Sequence, residues 1–187
     1  MGKLKFMNFI DTFVQNYFVL NRTEGMTDFM YFVTSIFNVT DVGSFLRFMI
    51  IVLCVSVLIY FVRNAKYSLL FVAVLFVGAI SSYFLKIFFD VSRPAMSVIS
   101  VMGQSFPSYH ATAATLFFVM LIYIFDDHLM GIKRKIFNFI CILGIFLVAG
   151  SRIYLGVHWV SDVVGGMVLG ILISYISIKI FQFYINK

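Results

Sequence analysis

The sequence predicts an all-α fold: a polytopic transmembrane bundle of five helices with interfacial amphipathic helices at its N-terminal end. Three observations predict it. Of 187 residues, 62% are apolar and only 12% are charged, whereas soluble domains carry about 25% charged residues. The mean hydropathy is +1.03. Finally, five continuous apolar stretches approach the roughly 20 residues that a helix needs to cross a bilayer core. None of them alternates with the period of two that a barrel strand requires. With 24 Phe, 2 Pro and 2 Cys, the disordered, collagen-like and disulfide-scaffold classes are excluded as well.

In chain order the spans are expected at 43–62, 67–89, 110–125, 136–154 and 163–183. The residues before them read differently. Phe6, Phe9, Ile10, Phe13 and Val14 recur at helical spacing beside Asn8, Asp11 and Gln15, and a similar mixture returns over 29–39. That is the pattern of helices lying in the membrane interface. Residues 1–42 are therefore expected to form an interfacial segment and 43–187 a single core domain, with a sixth span inside the N-terminal segment as the alternative. Polar residues interrupt the first apolar stretch and no small-residue cleavage site follows, which argues against a cleaved signal peptide. Cys54 and Cys141 sit inside apolar runs and read as small buried hydrophobes.

Five spans bring Arg63, Lys66, Lys133, Arg134, Lys135, Lys179 and Lys187 to one side of the membrane. The positive-inside rule makes that side cytoplasmic, so the net charge of +6 is a topology signal. Basic residues do not interleave with aromatics as they would on a nucleic-acid surface, and no nucleic-acid partner is expected. The expected location is a cytoplasmic (inner) membrane with the polar site on its extracytoplasmic face.

That outer side gathers two separated polar segments. One holds Lys86, Arg93 and Pro94 and continues through Pro107, Ser108, Tyr109 and His110; the other holds Ser151, Arg152, His158 and Asp162. An ionisable side chain at membrane depth costs about 2.5–3.5 kcal/mol on insertion scales. Snorkelling accounts for any one of the cations, but not for three cations together with two histidines. Such a set asks for an anion, and Asp90 and Asp162 supply only part of it. Phosphate suits the mixture, because Arg offers a planar fork of donors and Lys a point charge. Ser108 is expected to cap the third span, where first-turn amides and the helix dipole attract anions, with His110 in that turn. His158 and Asp162 are four apart, on one helical face. A carboxylate on one ring nitrogen fixes the tautomer and leaves the other nitrogen as a nucleophile or base. His128 reads as a solvated loop residue on the basic side. No H-E-x-x-H or Cys/His spacing points to zinc, and neither a metal nor any other cofactor is expected.

These residues resemble the type 2 phosphatidic acid phosphatase superfamily of membrane lipid phosphatases, whose signature has the blocks K-x6-R-P, P-S-G-H and S-R-x5-H-x3-D. Here they fall at Lys86 to Pro94, Pro107 to His110 and Ser151 to Asp162. Three spaced blocks in order, over roughly the last 120 residues, are far more specific than one motif. The resemblance implies that His158 is the nucleophile forming a phosphohistidine, that Asp162 orients it and that His110 protonates the leaving oxygen. Lys86, Arg93, Ser108, Arg152 and the amide of Tyr109 would hold the phosphoryl oxygens. It also implies a metal-independent hydrolase acting on a lipid phosphate, such as phosphatidylglycerophosphate, or on undecaprenyl pyrophosphate. A phosphotransferase using the same intermediate and a non-catalytic lipid-phosphate-binding protein are the alternatives. A transporter would carry its ionisable groups near span centres instead of span ends.

The chain departs from the family pattern in two ways. Many members have six spans, whereas five stand out here. Tyr109 also replaces the usual Gly, which the backbone tolerates at negative φ, so the consequence is one of bulk. The ring is expected to narrow or line the headgroup entrance. Tyr109→Gly should therefore change the ratio of phosphate-release rates across a panel of lipid phosphates, and an equal increase on every substrate would refute this selectivity role.

Overall fold

A computed structural model describes residues 9–38 and 42–185, which form seven helices and, among the described residues, no strand. Phe6, Asn8, Val39 and Lys187 lie outside the described residues. Helices α1 (Phe9–Asn21) and α2 (Glu24–Ser35) precede α3 (Val42–Val62), α4 (Ala65–Phe89), α5 (Tyr109–Phe125), α6 (Gly131–Tyr154) and α7 (Val160–Ile185).

The five expected spans correspond to α3 to α7. Four of them are 21 to 26 residues long and apolar enough to cross a membrane. The fifth, α5, has 17 residues, which is at the lower limit of about 17 for a span. It is interior: α4, α6 and α7 all pack against it, and it buries His110 to Phe117 without interruption. Helix α6 begins at Gly131, earlier than the apolar run suggested, because Lys133, Arg134 and Lys135 end the hydrophobic stretch without ending the helix. Their long side chains are compatible with helical backbone, and all three are exposed.

Small residues set the packing of α5 on α7, as expected where lipid removes the hydrophobic drive between helices. A methyl group added at Gly166 would lie 2.6 Å from the Ser108 carbonyl oxygen, and one at Gly170 would lie 2.7 Å from Thr115 Cβ. Thr112 and Thr115 direct their hydroxyls back to the carbonyls of Ser108 (3.0 Å) and Ala111 (2.7 Å), so these polar atoms are satisfied at no cost in helix separation. Outward, Phe61, Phe76, Phe88, Phe146 and Ile180 are exposed, forming the apolar surface that lipid would cover.

The two N-terminal helices have 13 and 12 residues, too few to cross a bilayer. They pack on α6 and α7. Helix α1 buries its polar residues Asp11 and Gln15 and exposes Phe9, Ile10, Phe13, Tyr17 and Leu20. Thr23 caps α2, its side chain accepting from the Met26 amide, and Val33, Thr34 and Phe37 are buried.

Gly166→Ala is expected to destabilise the fold by about 1–3 kcal/mol, because the methyl group meets backbone that cannot yield. Gly25→Ala, which meets nothing within 4 Å, should be neutral or slightly stabilising. Denaturant unfolding in detergent compares the two.

Candidate active site

The site is assembled at the end of the bundle where the loop from α4 to α5 meets the turn from α6 to α7. Asp90 closes α4 with a left-handed residue (φ 44°) whose amide donates to the Lys86 carbonyl, so the chain leaves the helix sharply. The loop is then tied to the second turn at three points. The Ser108 amide donates to the Asp162 carbonyl (3.0 Å) and the Val98 amide to the Leu155 carbonyl (3.0 Å). The Trp159 indole N–H donates to the Ser92 carbonyl (2.9 Å). Gly156, at φ 73°, makes the tight turn before His158, a conformation that favours glycine.

Arg93 joins the two segments. Its Nε donates to the Gly103 carbonyl (3.0 Å), its Nη2 to the Gln104 carbonyl (3.0 Å), and its Nη1 to the Val157 carbonyl (2.8 Å). The same Nη1 lies 3.1 Å from His158 Nε2. A guanidinium only donates, so Nε2 is the accepting nitrogen and the ring proton sits on Nδ1. That nitrogen faces Asp162 Oδ2 (3.4 Å) and Ser105 Oγ (3.3 Å). Ser105 in turn donates to the same Asp162 oxygen, which also accepts the Trp159 amide (2.8 Å). His158 is thereby held in one tautomer with its lone pair toward the cations, the arrangement a nucleophilic imidazole needs.

The remaining residues singled out in the sequence converge in part. Lys86 Nζ donates to the carbonyls of Gln104 (2.9 Å) and Ser105 (3.1 Å). His110 is buried on the first turn of α5 and its Nε2 has no hydrogen-bond partner; the same holds for Ser108 Oγ and Arg152 Nε. Unpaired buried donors and acceptors cost about 1–3 kcal/mol each, and Asp162 Oδ1 is likewise buried without a partner. Ser108 occupies the N-cap position of α5, as expected, but its side chain makes no capping bond; the hydroxyl stays uncommitted. Arg152, 2% exposed, leans toward α2, where its Nη1 donates to Thr34 Oγ1 (2.6 Å). It also lines a pocket of about 130 Å³ with Tyr31, Asn38 and Ser100. The Tyr109 side chain borders a small apolar gap beside Phe48, Leu75, Gly78 and Ala113, between α3, α4 and α5.

Ser105, Gln104, Trp159 and Thr34 carried no signal in the sequence. Ser105 is fully buried yet lies in a loop of unremarkable composition, and only its position between His158 and Asp162 gives it a role. His128 is at the opposite end of the bundle, exposed, with Nδ1 2.7 Å from Arg63 Nη1. Arg63 also borders a pocket of about 570 Å³ with Tyr67, Tyr123, Asp126, Asp127 and Gln182. Among the described residues no three His, Cys, Asp or Glu side chains gather as metal ligands would.

Burial, reinforced by the charges of Arg152, Arg93 and Lys86 and by His110, holds the His158 imidazole well below its ordinary value. The unfolded chain takes up a proton near pH 6.5 that the folded chain refuses, so this contribution to stability is full above about pH 6.5 and is lost as the pH falls below it. NMR of ring-labelled histidine, assigned with His158→Ala, should show His158 still neutral at pH 6; half-protonation at about 6.5 or above would contradict the site described here.

The PAP2 superfamily profile matches residues 66–185. Phosphatidylglycerophosphatase B of Bacillus subtilis is 28% identical over 142 residues, 74% of this chain and 70% of that protein. An undecaprenyl-diphosphatase of Sulfolobus acidocaldarius is 52% identical over 42 residues, 21% of this chain and 20% of its own length. The crystal structure of a transmembrane PAP2 type phosphatidylglycerolphosphate phosphatase from Bacillus subtilis superposes with a TM-score of 0.81 at 26% identity, covering 92% of this chain and 84% of that one. Aquifex aeolicus LpxE superposes with a TM-score of 0.72 at 20% identity, covering 95% and 99%, which is a likeness of fold.

Proposed function

The chain belongs to the PAP2 superfamily, and on that premise we propose that it is an integral membrane phosphatase that releases phosphate from a lipid phosphate through a phosphohistidine on His158. The observation that carries the reading is the buried His158 ring, its Nδ1 facing Asp162 and Ser105 and its Nε2 3.1 Å from the Arg93 guanidinium. A phosphoryl group arriving at Nε2 takes over the Arg93 N–H that now points at the ring, so the donor that masks the nucleophile becomes the donor that binds the substrate.

Nε2 attacks phosphorus, the bond from phosphorus to the lipid oxygen breaks, and His110 gives the leaving oxygen a proton. Water then attacks the phosphohistidine, His110 takes the proton back, and inorganic phosphate leaves with Nε2 restored. Lys86, Arg93, Ser108 and Arg152 stabilise the equatorial oxygens. Phosphoryl transfer is largely positioning and charge stabilisation, and three cations supply that charge without requiring a metal. The amides of Tyr109 and its neighbours open α5 toward the same oxygens.

Phosphatidylglycerophosphate is the preferred substrate, since the relatives named for it match the larger part of the chain. A lipid diphosphate is the second reading, favoured by the short stretch of high identity to an undecaprenyl-diphosphatase. Residues 1–42 act as an interfacial segment on the core. The basic residues at the opposite end, among them Arg63, Lys66 and Lys133 to Lys135, favour a site on the extracytoplasmic face of a cytoplasmic membrane.

Purified protein with EDTA should release phosphate from one or more members of a panel of lipid phosphates and diphosphates in mixed micelles. His158→Ala should abolish both turnover and the acid-labile phosphoenzyme, whereas His110→Ala should slow turnover by about 10²–10⁴-fold and still form the adduct from a substrate with a good leaving group. Full turnover by His158→Ala would remove the nucleophile, and a need for a divalent ion would remove the metal-free mechanism.

A further inference from the structure

We infer that Asp11, on α1, is a positioning residue for the His158 nucleophile, acting through the amino end of α7; the inference rests on the reading of His158 given above. Asp11 is 1% exposed. Its Oδ1 accepts the Ser161 amide at 2.9 Å and its Oδ2 accepts the Ser161 hydroxyl at 2.8 Å. Ser161 stands between His158 and Asp162, in the first turn of α7, where backbone N–H groups have no partner within the helix. The residue just before α7 is Trp159 followed by Val160, and neither offers a side-chain acceptor. Asp162 Oδ2 is already taken by the Trp159 amide, Ser105 and the imidazole. Asp162 Oδ1 accepts no hydrogen bond, and the carboxylate that takes the Ser161 amide is that of Asp11, from the other end of the chain.

The same segment brackets the turn before His158. Arg22, which links α1 to α2, donates from Nε to the Tyr154 carbonyl and from Nη1 to the Met96 carbonyl, each at 3.0 Å. A methyl group at Gly156 would come within 2.7 Å of Gln15 Nε2 and of the Met96 carbonyl oxygen. Asp11, Gln15 and Arg22 thus press on the backbone of 154–161 from its α1 side, and His158 lies in the middle of that stretch. The opposite face of α1 is Phe9, Ile10, Phe13, Tyr17 and Leu20, all exposed. What the helix offers the protein is its polar side, aimed at the catalytic turn. A displacement of about 1 Å in a reacting group can cost 10²-fold in rate, so fixing the origin of α7 has a direct consequence for turnover.

The test uses the full chain in detergent micelles with a short-chain lipid phosphomonoester. Asp11→Ala should lower kcat by about tenfold or more while KM stays within about twofold, because the loss is in the placement of the nucleophile and not in substrate binding. Asp11→Asn should lose less, since its amide carbonyl still accepts the Ser161 N–H. Backbone hydrogen exchange over 155–165 should quicken in Asp11→Ala with other spans unchanged. Wild-type kcat in Asp11→Ala, or a fall carried by KM, overturns the inference. If Asp11→Ala does not fold, Asp11→Asn decides by the same split: a lower kcat at constant KM supports the role, and wild-type kcat removes it. Should the wild-type protein release no phosphate, the hydrolase reading fails, and exchange over 155–165 alone decides whether Asp11 orders the turn.

Discussion

The Arg93 guanidinium is the joint on which the site depends. It reaches two carbonyls of the α4–α5 loop, one carbonyl of the α6–α7 turn and the imidazole of His158. These segments are more than fifty residues apart in the chain, and a planar group carrying donors in several directions holds all four acceptors at once, where the Trp159 indole holds one. Lysine has three donors but no fixed fork, and Lys86 accordingly does a narrower job, binding the adjacent carbonyls of Gln104 and Ser105. The cation that would grip a phosphoryl group is also the one that shapes its container.

Electrostatics makes this arrangement costly without an anion. Lys86, Arg93 and Arg152 add to burial in their action on the His158 imidazole, and the nearby carboxylate, Asp162, engages Ser105, the Trp159 amide and the ring through Oδ2 alone, its Oδ1 having no partner. Backbone carbonyls absorb part of the excess by accepting from Arg93 and Lys86. Arg152 Nε and Asp162 Oδ1 both lack a hydrogen-bond partner. Concentrated positive charge at a helix end, in a site shielded from water, favours a dianionic group far more than a neutral one. Burial, and after it the same field, keeps His158 neutral.

The bundle was legible in the sequence because span length is dictated by bilayer thickness, and apolar runs of that length have few other uses. The cations and imidazoles were legible because ionisable groups at membrane depth are expensive and therefore conspicuous. Ser105 was not, since a serine in a loop has no spacing that marks it and its value lies wholly in a contact to residues more than fifty positions away. Arg152 was legible as a cation but not in its lean toward Thr34, which depends on α2 packing against α6. Helix α6 begins five residues before the apolar run at 136–154, because a cluster of lysine and arginine ends an apolar run without ending a helix.

Helix α1 was legible as amphipathic, but periodicity alone could not say which face turns inward. In water the apolar face seeks the protein and the polar face seeks solvent. Next to lipid the surroundings are as apolar as any protein core, so Phe9, Phe13 and Leu20 gain little by turning inward. A buried carboxylate such as Asp11, by contrast, gains two hydrogen bonds from Ser161 that lipid cannot supply. The polar face therefore goes to the protein. A segment without any of the family's signature residues thus ends up in contact with the turn that holds His158, and the amides at the start of α7 settle where its carboxylate is used.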